Sequence, residues 1–149
     1  MTNKEKIDYF MDYNWLAIAG VSRDEKKFGR LVYENLKKKT DRLLPINPNI
    51  DPFEDKNWFP DIGCLPEFVD HLLVVTPPHE TANVIQEAVD KGIRNVWIQN
   101  KCETKEALQI AEENDIKVVS GYCFLMFANP IGVHRVHRTI FDLMGKLPQ

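Results

Sequence analysis

The sequence lacks long apolar runs, and no stretch approaches the roughly 18 residues that a membrane-spanning helix requires. The first ten residues also lack the apolar segment of a signal peptide. There are only three cysteines, Cys64, Cys102 and Cys123, and none forms a CxxC pair. That number and spacing argue against a disulfide framework and against a zinc site. We therefore predict a cytoplasmic protein with reduced thiols and no membrane partner.

An excess of positive charge is also missing. The chain has 19 Lys and Arg against 22 Asp and Glu, a net charge of −3. Nonspecific nucleic-acid binding requires a basic surface, so we predict no nucleic-acid partner. The 149 residues, 44% of them hydrophobic, suit one globular domain over 1–149 with a single sizeable core. We divide it into an N-terminal helix (1–14), a core (15–123) and a C-terminal helical segment (124–149).

Short apolar runs alternate with amphipathic stretches along the chain. Strands are predicted at 15–19, 42–46, 71–75, 95–98 and 117–120. Helices are predicted over 3–13, from Phe28 onward, from the prolines that follow Thr76 to Lys91, over 104–114, and at the C-terminus. The irregular stretch 48–66 is predicted to be a surface excursion with a short strand near Cys64. This alternation predicts an α/β fold with a mainly parallel five-stranded sheet, doubly wound, with helices on both faces.

Local patterns sharpen the helix predictions. Thr2 followed by Glu5 is a capping-box pattern. The positions of Phe28, Leu31, Val32 and Leu36 predict one buried helical face, and those of Val133, Val136 and Ile140 predict another in the last helix. Thr76 before Pro77-Pro78 is predicted to be the N-cap of the third helix.

In such folds, ligands bind beyond the carboxyl ends of the strands. The first strand runs into the segment Gly20–Gly29, which we call the first loop. Its glycine allows close approach of a ligand, and the following helix N-terminus favours a phosphate. Ser22–Arg30 carries four cations and two anions, a local charge of +2 in an acidic chain. The loop alone is equally consistent with a solvated turn.

A nicotinamide dinucleotide site needs features that this chain lacks. The G-x-G-x-x-G pattern is absent, and the second strand ends in Asn47-Pro48-Asn49, with no carboxylate before Asp51. Asn47-Pro48 suits an adenine or ribose edge, or forms a simple turn. Thr76-Pro77-Pro78 removes two backbone donors and makes an apolar ledge for a ligand, or serves only to start a helix.

No catalytic set and no metal site is predicted. His134 and His137 lie three residues apart but have no third ligand nearby in sequence, and Arg135 and Arg138 interleave with them. Cys123 follows the fifth strand without a neighbouring base, so a buried structural role is the better interpretation.

Several segments together resemble a known family. They are Ile18-Ala-Gly-Val-Ser22 with Lys26, Phe28 and Gly29, then Pro45-Ile-Asn-Pro48, Val74-Val-Thr-Pro-Pro78, Val96-Trp-Ile-Gln99 and Val118-Val-Ser-Gly-Tyr-Cys123. In this order and spacing, the chain resembles the small stand-alone CoA-binding proteins. These share a Rossmann-like domain with the N-terminal part of the succinyl-CoA synthetase α subunit.

The resemblance implies coenzyme A, or an acyl-CoA, across the carboxyl edge of the sheet. It implies phosphate contacts from the first loop, adenosine contacts at the second strand end, and a pantetheine path past the third and fourth strands. The implied cofactor-binding residues are Gly20, Ser22, Arg23, Lys26, Phe28, Gly29, Asn47, Pro48, Thr76, Pro77, Pro78, Ile98 and Gln99.

The chain also departs from this family. Cys123-Phe124 replaces the usual Cys-Pro, and Asn100-Lys101 replaces a glycine turn of the ligases. The first hypothesis is therefore non-catalytic binding of CoA or acyl-CoA, with a protein partner or a homo-oligomer left open. The alternatives are an enzyme that uses NAD(P) or another nucleotide, and a regulatory subunit or interaction domain.

Overall fold

The computed structural model describes residues 1–49 and 57–128. The strands are β1 (Leu16–Ala19), β2 (Leu43–Ile46), β3 (His71–Val74), β4 (Asn95–Ile98) and β5 (Lys117–Ser120). The helices are α1 (Asn3–Met11), α2 (Phe28–Lys37), α3 (Pro78–Lys91), α4 (Lys105–Glu113) and α5 (Leu125–Ala128), with a short 3₁₀ helix at Ile62–Cys64. The predicted C-terminal helix with Val133, and the pair His134 and His137, lie outside the described residues.

All five strands are parallel, and their order across the sheet is β2-β1-β3-β4-β5. The order reverses at β1, which has β2 on one side and β3 on the other. This is the Rossmann-like, doubly wound α/β fold that was predicted. β1 through β4 are buried along their whole length, as strands covered on both faces must be.

Side chains from alternate strand positions form two separate cores. One face carries α1, α2 and α5, and its buried residues include Phe10, Tyr33, Trp58, Trp97 and Phe124; we call it the aromatic face. The other carries α3 and α4 over valine, leucine, isoleucine and alanine side chains, with no aromatic ring among its buried described residues; we call it the aliphatic face. β1 shows the division, since Leu16 and Ile18 face the aromatic core and Ala17 and Ala19 the aliphatic core.

The capping box of α1 is confirmed. The Thr2 hydroxyl accepts from the Glu5 N–H at 3.1 Å, and the Glu5 carboxylate accepts from the Thr2 N–H at 2.7 Å. Ile7 and Phe10 are the buried residues of this helix. Its docking on the sheet therefore depends on few apolar side chains, of which Phe10 is the largest.

Two local predictions are wrong. The segment near Cys64 is a 3₁₀ helix rather than a strand, because Asp61 caps it by accepting from the Cys64 N–H at 2.9 Å. The extra strand-like pairing in this region is a single bridge between Ile46 and Phe59. Leu31 is 41% exposed, and the buried face of α2 instead passes through Gly29, Val32, Tyr33 and Leu36.

No helix in the described ranges is both long enough and apolar enough to cross a membrane.

Candidate functional site

The parallel register brings three predicted segments to one edge of the sheet. Ala19 pairs with Ile46 of β2 and with Val74 of β3, so these strands end level with one another. Gly20, Asn47 and Val75-Thr76 follow directly. The carboxyl edge therefore assembles the first loop, the Asn47-Pro48 turn and the start of α3 around the point where strand order reverses.

Two glycines allow the backbone segments of this edge to touch. Gly20 has a φ of +98°, and a Cβ atom on it would lie 2.7 Å from the Val75 carbonyl carbon and oxygen. A Cβ atom on Gly29 would lie only 2.2 Å from the Gly20 carbonyl oxygen. Real Cβ atoms do not approach so closely, so both positions require glycine for contact between the first loop, β3 and α2. Gly29 thus packs the helix start against the strand end, as the third glycine of a dinucleotide fingerprint does.

The first loop is shaped by its own hydrogen bonds. The Ser22 hydroxyl oxygen accepts from the Asp24 N–H at 3.0 Å, and the Asp24 carboxylate accepts from the Lys26 N–H at 3.0 Å. The Lys27 N–H donates to the Asp24 carbonyl at 3.1 Å. Asp24 is therefore a structural residue of the loop, and Ser22 still has its hydroxyl proton to donate.

The loop delivers positive charge to the start of α2. Lys27 occupies the N-cap position, and no side chain makes a capping hydrogen bond there. Arg23, Lys26 and Lys27 are exposed, while Phe28 is half-buried against the aromatic core. The start of this ten-residue helix thus has no side-chain cap and lies beside several cations, which is favourable for an anion.

Arg30, which was not predicted as a site residue, links the first loop and α2 to Trp58 in the segment after β2. Its Nε donates to the Glu34 carboxylate at 2.8 Å and a terminal nitrogen reaches the Ser22 carbonyl at 3.4 Å. The guanidinium lies 5.4 Å from the centre of the Trp58 ring, a cation–π distance. Only the spacing of Arg30 and Glu34 is visible in the sequence, since Trp58 is 28 residues away.

Asn47 has a positioning role. Its side-chain amide donates to the Val21 carbonyl at 2.9 Å, and its side-chain oxygen accepts from the Asn49 N–H at 2.8 Å. One bond holds the first loop and the other closes the turn after β2. Pro48 next to it lines a cleft at the same edge.

The prediction that Thr76 caps α3 is wrong. The N-cap is Pro77 and the first helical residue is Pro78. Thr76 is buried, and its hydroxyl oxygen lies 2.8 Å from that of Thr81, which also reaches the Pro77 carbonyl at 3.3 Å. The Thr76 side chain therefore turns back into the protein to meet the first turn of α3, whereas Pro77 and Pro78 are exposed at the edge.

Ile98 and Gln99 lie at the end of β4 with no exposed surface. Ile98 packs in the aliphatic core, and the Gln99 side-chain oxygen accepts from the Phe124 N–H at 3.0 Å. Both side chains are occupied in packing and in fixing the turn after β5. Their predicted contact with a ligand stays a prediction.

A cleft of about 320 Å³ opens at this edge on the side of the aliphatic face. That volume is at the lower end of the range for small-molecule sites. The lining residues come from the ends of β1, β2 and β3, from 60–62 and from α3: Ala19, Gly20, Ile46, Pro48, Pro60, Asp61, Ile62, Thr76, Glu80, Asn83, Val84 and Glu87. Gly20, Pro48 and Thr76 were predicted; the α3 residues were not, although 80, 83, 84 and 87 have the spacing of one helical face.

The charges around the cleft are of one sign. Its described lining contains three carboxylates, those of Asp61, Glu80 and Glu87, and no lysine or arginine. Burial, with the nearby Asp61 and Asp90 carboxylates, raises the pKa of Glu87 above its ordinary value of 4.5. The cations of the first loop lie on the other side of Gly20, so the edge has a positive part and a negative part.

The thiols nearest the carboxyl edge are held in their protonated form. Burial, with a contribution from Glu103, raises the pKa of Cys102 to about 11. Burial also raises the pKa of Cys123, against opposing hydrogen bonds that include one from Gln99. A nucleophilic cysteine needs a lowered pKa, so neither environment activates a thiolate. The interpretation of Cys123 as a buried structural residue is consistent with its burial.

Known proteins resemble this chain in both sequence and structure. The model of the CoA binding domain family matches residues 15–129. The acetate–CoA ligase [ADP-forming] II subunit alpha of Pyrococcus furiosus is 24% identical over 145 residues, which cover 90% of this chain and 30% of that protein. The acetate–CoA ligase [ADP-forming] II of Archaeoglobus fulgidus is 27% identical over 115 residues, 69% of this chain and 17% of that protein.

The structural comparison adds a relative of similar size. A conserved hypothetical protein from Pyrococcus furiosus superposes with a TM-score of 0.71 at 29% identity, over 76% of this chain and 98% of that one. The chain spans no more than about a third of the two ligases it matches. The family match covers the whole sheet, the first loop and the cleft-forming part of α3. This chain belongs to the CoA binding domain family.

Proposed function

We propose that this chain binds coenzyme A or an acyl-CoA at the carboxyl edge, with the phosphates on the first loop and without chemistry of its own. The observation that carries this proposal is the start of α2. The helix begins at the ligand edge without a side-chain cap, so its first N–H groups and positive dipole end are available to a phosphate. The backbone contact of Gly20 with Gly29 holds that helix start in place.

The charges of the loop suit a ligand with several phosphates. Lys26 and Lys27 are exposed beside the uncapped helix start. Ser22 has a hydroxyl proton to donate, because its oxygen serves as an acceptor for Asp24. Long-stemmed lysines can reach separate phosphate groups, and each exposed pair contributes modestly, so a polyphosphorylated ligand gains most from the set.

Dinucleotide binding has less support at the end of β2. A ribose reader there would be a carboxylate, whereas the residue present is Asn47. Both ends of its side chain are already hydrogen-bonded, to Val21 and to Asn49. This position fixes the loop rather than offering a free group to ribose hydroxyls.

The absence of chemistry is proposed from the state of the thiols. The raised pKa values of Cys102 and Cys123 keep both thiols unreactive at neutral pH. The matched ligase of Pyrococcus furiosus is named as one subunit. We propose that a partner chain or a second copy performs any reaction on the bound ligand.

Ligand-induced stabilisation tests the proposal directly. The melting temperature is measured with CoA, acetyl-CoA, NAD, NADP and ATP in parallel. A ligand at 100 times its Kd adds about 2.7 kcal/mol to the free energy of unfolding, so a specific ligand is readily distinguished. We expect CoA or acetyl-CoA to stabilise most. A shift with NAD and none with CoA would contradict the proposal.

Lys26→Ala examines the phosphate part of the site. We expect about fivefold weaker CoA binding at low salt, corresponding to about 1 kcal/mol for an exposed ion pair, and a smaller loss at high salt. Lys38→Ala is the matched control, because Lys38 is an exposed lysine at the C-cap of α2, at the opposite end of that helix from the first loop. Equal affinities of the two variants at low salt would remove Lys26 from the site.

A further inference from the structure

The amino edge of the sheet, opposite the carboxyl edge, buries two polar side chains next to each other. β3 begins at His71 and β4 begins at Asn95, and these two residues are partners in the parallel register. They are only 8% and 5% exposed. Residues paired in this way point to the same face of a sheet, and on that face the Phe10 ring lies 5.2 Å from the His71 ring. The two side chains therefore lie side by side beneath α1.

Asp70 fixes the orientation of the Asn95 side chain. The Asp70 carbonyl accepts from the Asn95 backbone N–H at 3.2 Å and from the side-chain Nδ2 at 3.1 Å. A flipped amide would place its oxygen against that carbonyl oxygen, so Nδ2 faces Asp70 and Oδ1 points away from it. Oδ1 is buried and has no hydrogen-bond donor within the described ranges. It is an acceptor that these parts of the chain leave without a donor.

The Asp70 side chain fixes the tautomer of His71. Its carboxylate lies 2.7 Å from Nδ1 of the imidazole. Because an ionised carboxylate only accepts, Nδ1 carries the proton in the neutral ring and Nε2 is an acceptor. Nε2 is also buried and has no hydrogen-bond partner in the described ranges. Two neighbouring buried acceptors therefore call for a donor that serves both, since buried polar groups are costly without a partner.

The space beside these groups sets the size of the donor. A cavity of about 10 Å³ lies against Asn95 and Phe10, and Lys6 and Lys117 are among its other lining residues. That volume admits one water molecule and nothing larger. An ammonium ion, the other small donor, would be repelled by the two lysines. A metal ion would need more ligands, and no group of three His, Cys, Asp or Glu suited to a metal occurs in the described part of the chain.

We propose that the amino edge has a binding site for one water molecule, which bridges His71 and Asn95. The water donates one hydrogen to Nε2 of His71 and the other to Oδ1 of Asn95, and so provides both acceptors with a partner. Adjacent strands lie about 4.8 Å apart, and two hydrogen bonds of about 2.8 Å through one oxygen span about 4.5 Å. A single water therefore matches the spacing of side chains that stand side by side. The site lies opposite the first loop and does not depend on the proposed function.

α1 controls access to this water. Phe10, which is buried, covers the His71 ring and lines the cavity beside Asn95. A water held there exchanges with solvent only when α1 moves away from the sheet, because the helix closes that side. Its residence time therefore reports how often α1 detaches, a local opening that costs less than global unfolding.

Two measurements on the unmodified full chain test the site. A crystal structure that resolves ordered solvent is expected to show a water at about 2.6–3.2 Å from both Nε2 of His71 and Oδ1 of Asn95. Long-range proton–nitrogen NMR spectra at pH 8 are expected to show the His71 proton on Nδ1. A side chain that donates at this place, or density for no water there, overturns the proposal. A proton on Nε2 also overturns it, because Nε2 would then be a donor.

His71→Phe provides the test in solution. The phenyl ring lacks the acceptor and extends into the space of the water, so the variant is expected to hold one internal water fewer by oxygen-17 relaxation dispersion. His79→Phe is the control, at a histidine whose side chain is 79% exposed, and is expected to keep the number of the unmodified chain. An unchanged number in His71→Phe overturns the proposal. If this variant does not fold, the two measurements on the unmodified chain decide.

Discussion

The two faces of the sheet differ in chemistry as well as in packing. The aromatic face buries large rings under α1, α2 and α5, and its carboxyl end carries the cationic first loop. The aliphatic face buries branched and small side chains under α3 and α4, and its carboxyl end carries the acidic cleft. This division suits a ligand with an anionic part and a neutral part, because the first loop attracts the anionic part and the acidic cleft accommodates only the neutral part. Six substitutions test how far the difference holds. Ile85→Ala and Gly121→Ala are the matched changes for Phe10→Ala and Gly29→Ala, and the other four run from the largest expected effect to the smallest.

Phe10→Ala addresses the aromatic face. The Phe10 ring lies 5.2 Å from that of His71, 5.6 Å from Trp97 and 6.0 Å from Phe124, measured between ring centres. Removing it is expected to cost about 3–5 kcal/mol in the free energy of unfolding and to weaken the near-ultraviolet circular dichroism of the folded protein. Urea unfolding and the dichroism spectrum provide the two measurements.

Ile85→Ala is the matched change on the aliphatic face, at a side chain that is also wholly buried. We expect about 2–5 kcal/mol of destabilisation but little change in the near-ultraviolet spectrum. If both variants change that spectrum equally, the two cores are not physically separate.

Gly29→Ala tests the contact that joins the first loop to α2. The new methyl group would meet the Gly20 carbonyl oxygen at 2.2 Å, so backbone must move. We expect a loss of about 3 kcal/mol, at the upper end for overpacking, together with weaker CoA binding. Thermal unfolding measures the first effect and calorimetry the second.

Gly121→Ala separates crowding from backbone strain. Gly121 has a φ of +85°, and a Cβ atom there would meet no atom within 4 Å. Strain alone is expected to cost about 1 kcal/mol. Equal losses for the two alanine variants would argue that the Gly29 contact relaxes easily.

Thr81→Val probes the start of α3. Valine keeps the shape of threonine but leaves the buried Thr76 hydroxyl without its partner at 2.8 Å. We expect a loss of about 2 kcal/mol in the free energy of unfolding, whereas Thr81→Ser keeps the hydroxyl and is expected to lose less. A lower urea midpoint for the Thr81→Ser variant than for the Thr81→Val variant would contradict this explanation.

Glu87→Gln has the smallest expected effect and depends on pH. The pKa of Glu87 is raised in the folded protein, so the folded protein holds the proton on this carboxyl group more strongly than the unfolded chain does. Glu87 therefore contributes its full stabilisation at pH values below 4.5, its ordinary pKa, and this contribution is lost as the pH rises through the raised pKa. The substitution is expected to stabilise the protein by about 0.5 kcal/mol at pH 7, since the group is partly exposed, and to have no benefit at pH 4. Glu112→Gln, measured by urea unfolding at both values of pH, is the control.

The strands could be predicted closely because each is a short, doubly buried apolar run. β4 and β5 begin and end where the sequence pattern placed them, and β1, β2 and β3 differ by one residue at one end. The α1 capping box was equally legible, since both partners lie within four residues. Short-range patterns were therefore enough to predict the order of strands and helices along the chain. The parallel connections then determined which strand ends form the carboxyl edge of the sheet.

The remainder depended on which side chains the fold buries and, for some of them, on contacts between distant residues. The sequence pattern placed Thr76 at a cap, but its hydroxyl found a buried partner in Thr81 instead. The sequence did not show that the turn after β5 engages the Gln99 side chain from 25 residues away. The predicted contact of Gln99 with a ligand stays a prediction. The cleft carboxylates Glu80 and Glu87 were missed because a helical stripe of polar residues usually indicates solvent, and only the fold places this stripe against strand ends.

The contact of Gly20 with Gly29 has a consequence for how this chain can change over time. Neither glycine can be replaced alone by a larger residue. A Cβ atom at Gly29 would clash with the Gly20 carbonyl, and one at Gly20 would clash with the backbone of Val75 and Thr76. A substitution at either glycine would require a compensating backbone shift in the segments that it contacts. We therefore expect both glycines and the end of β3 to be retained together as the sequence evolves. A graft of the first loop into another scaffold would have to carry the end of β3 with it.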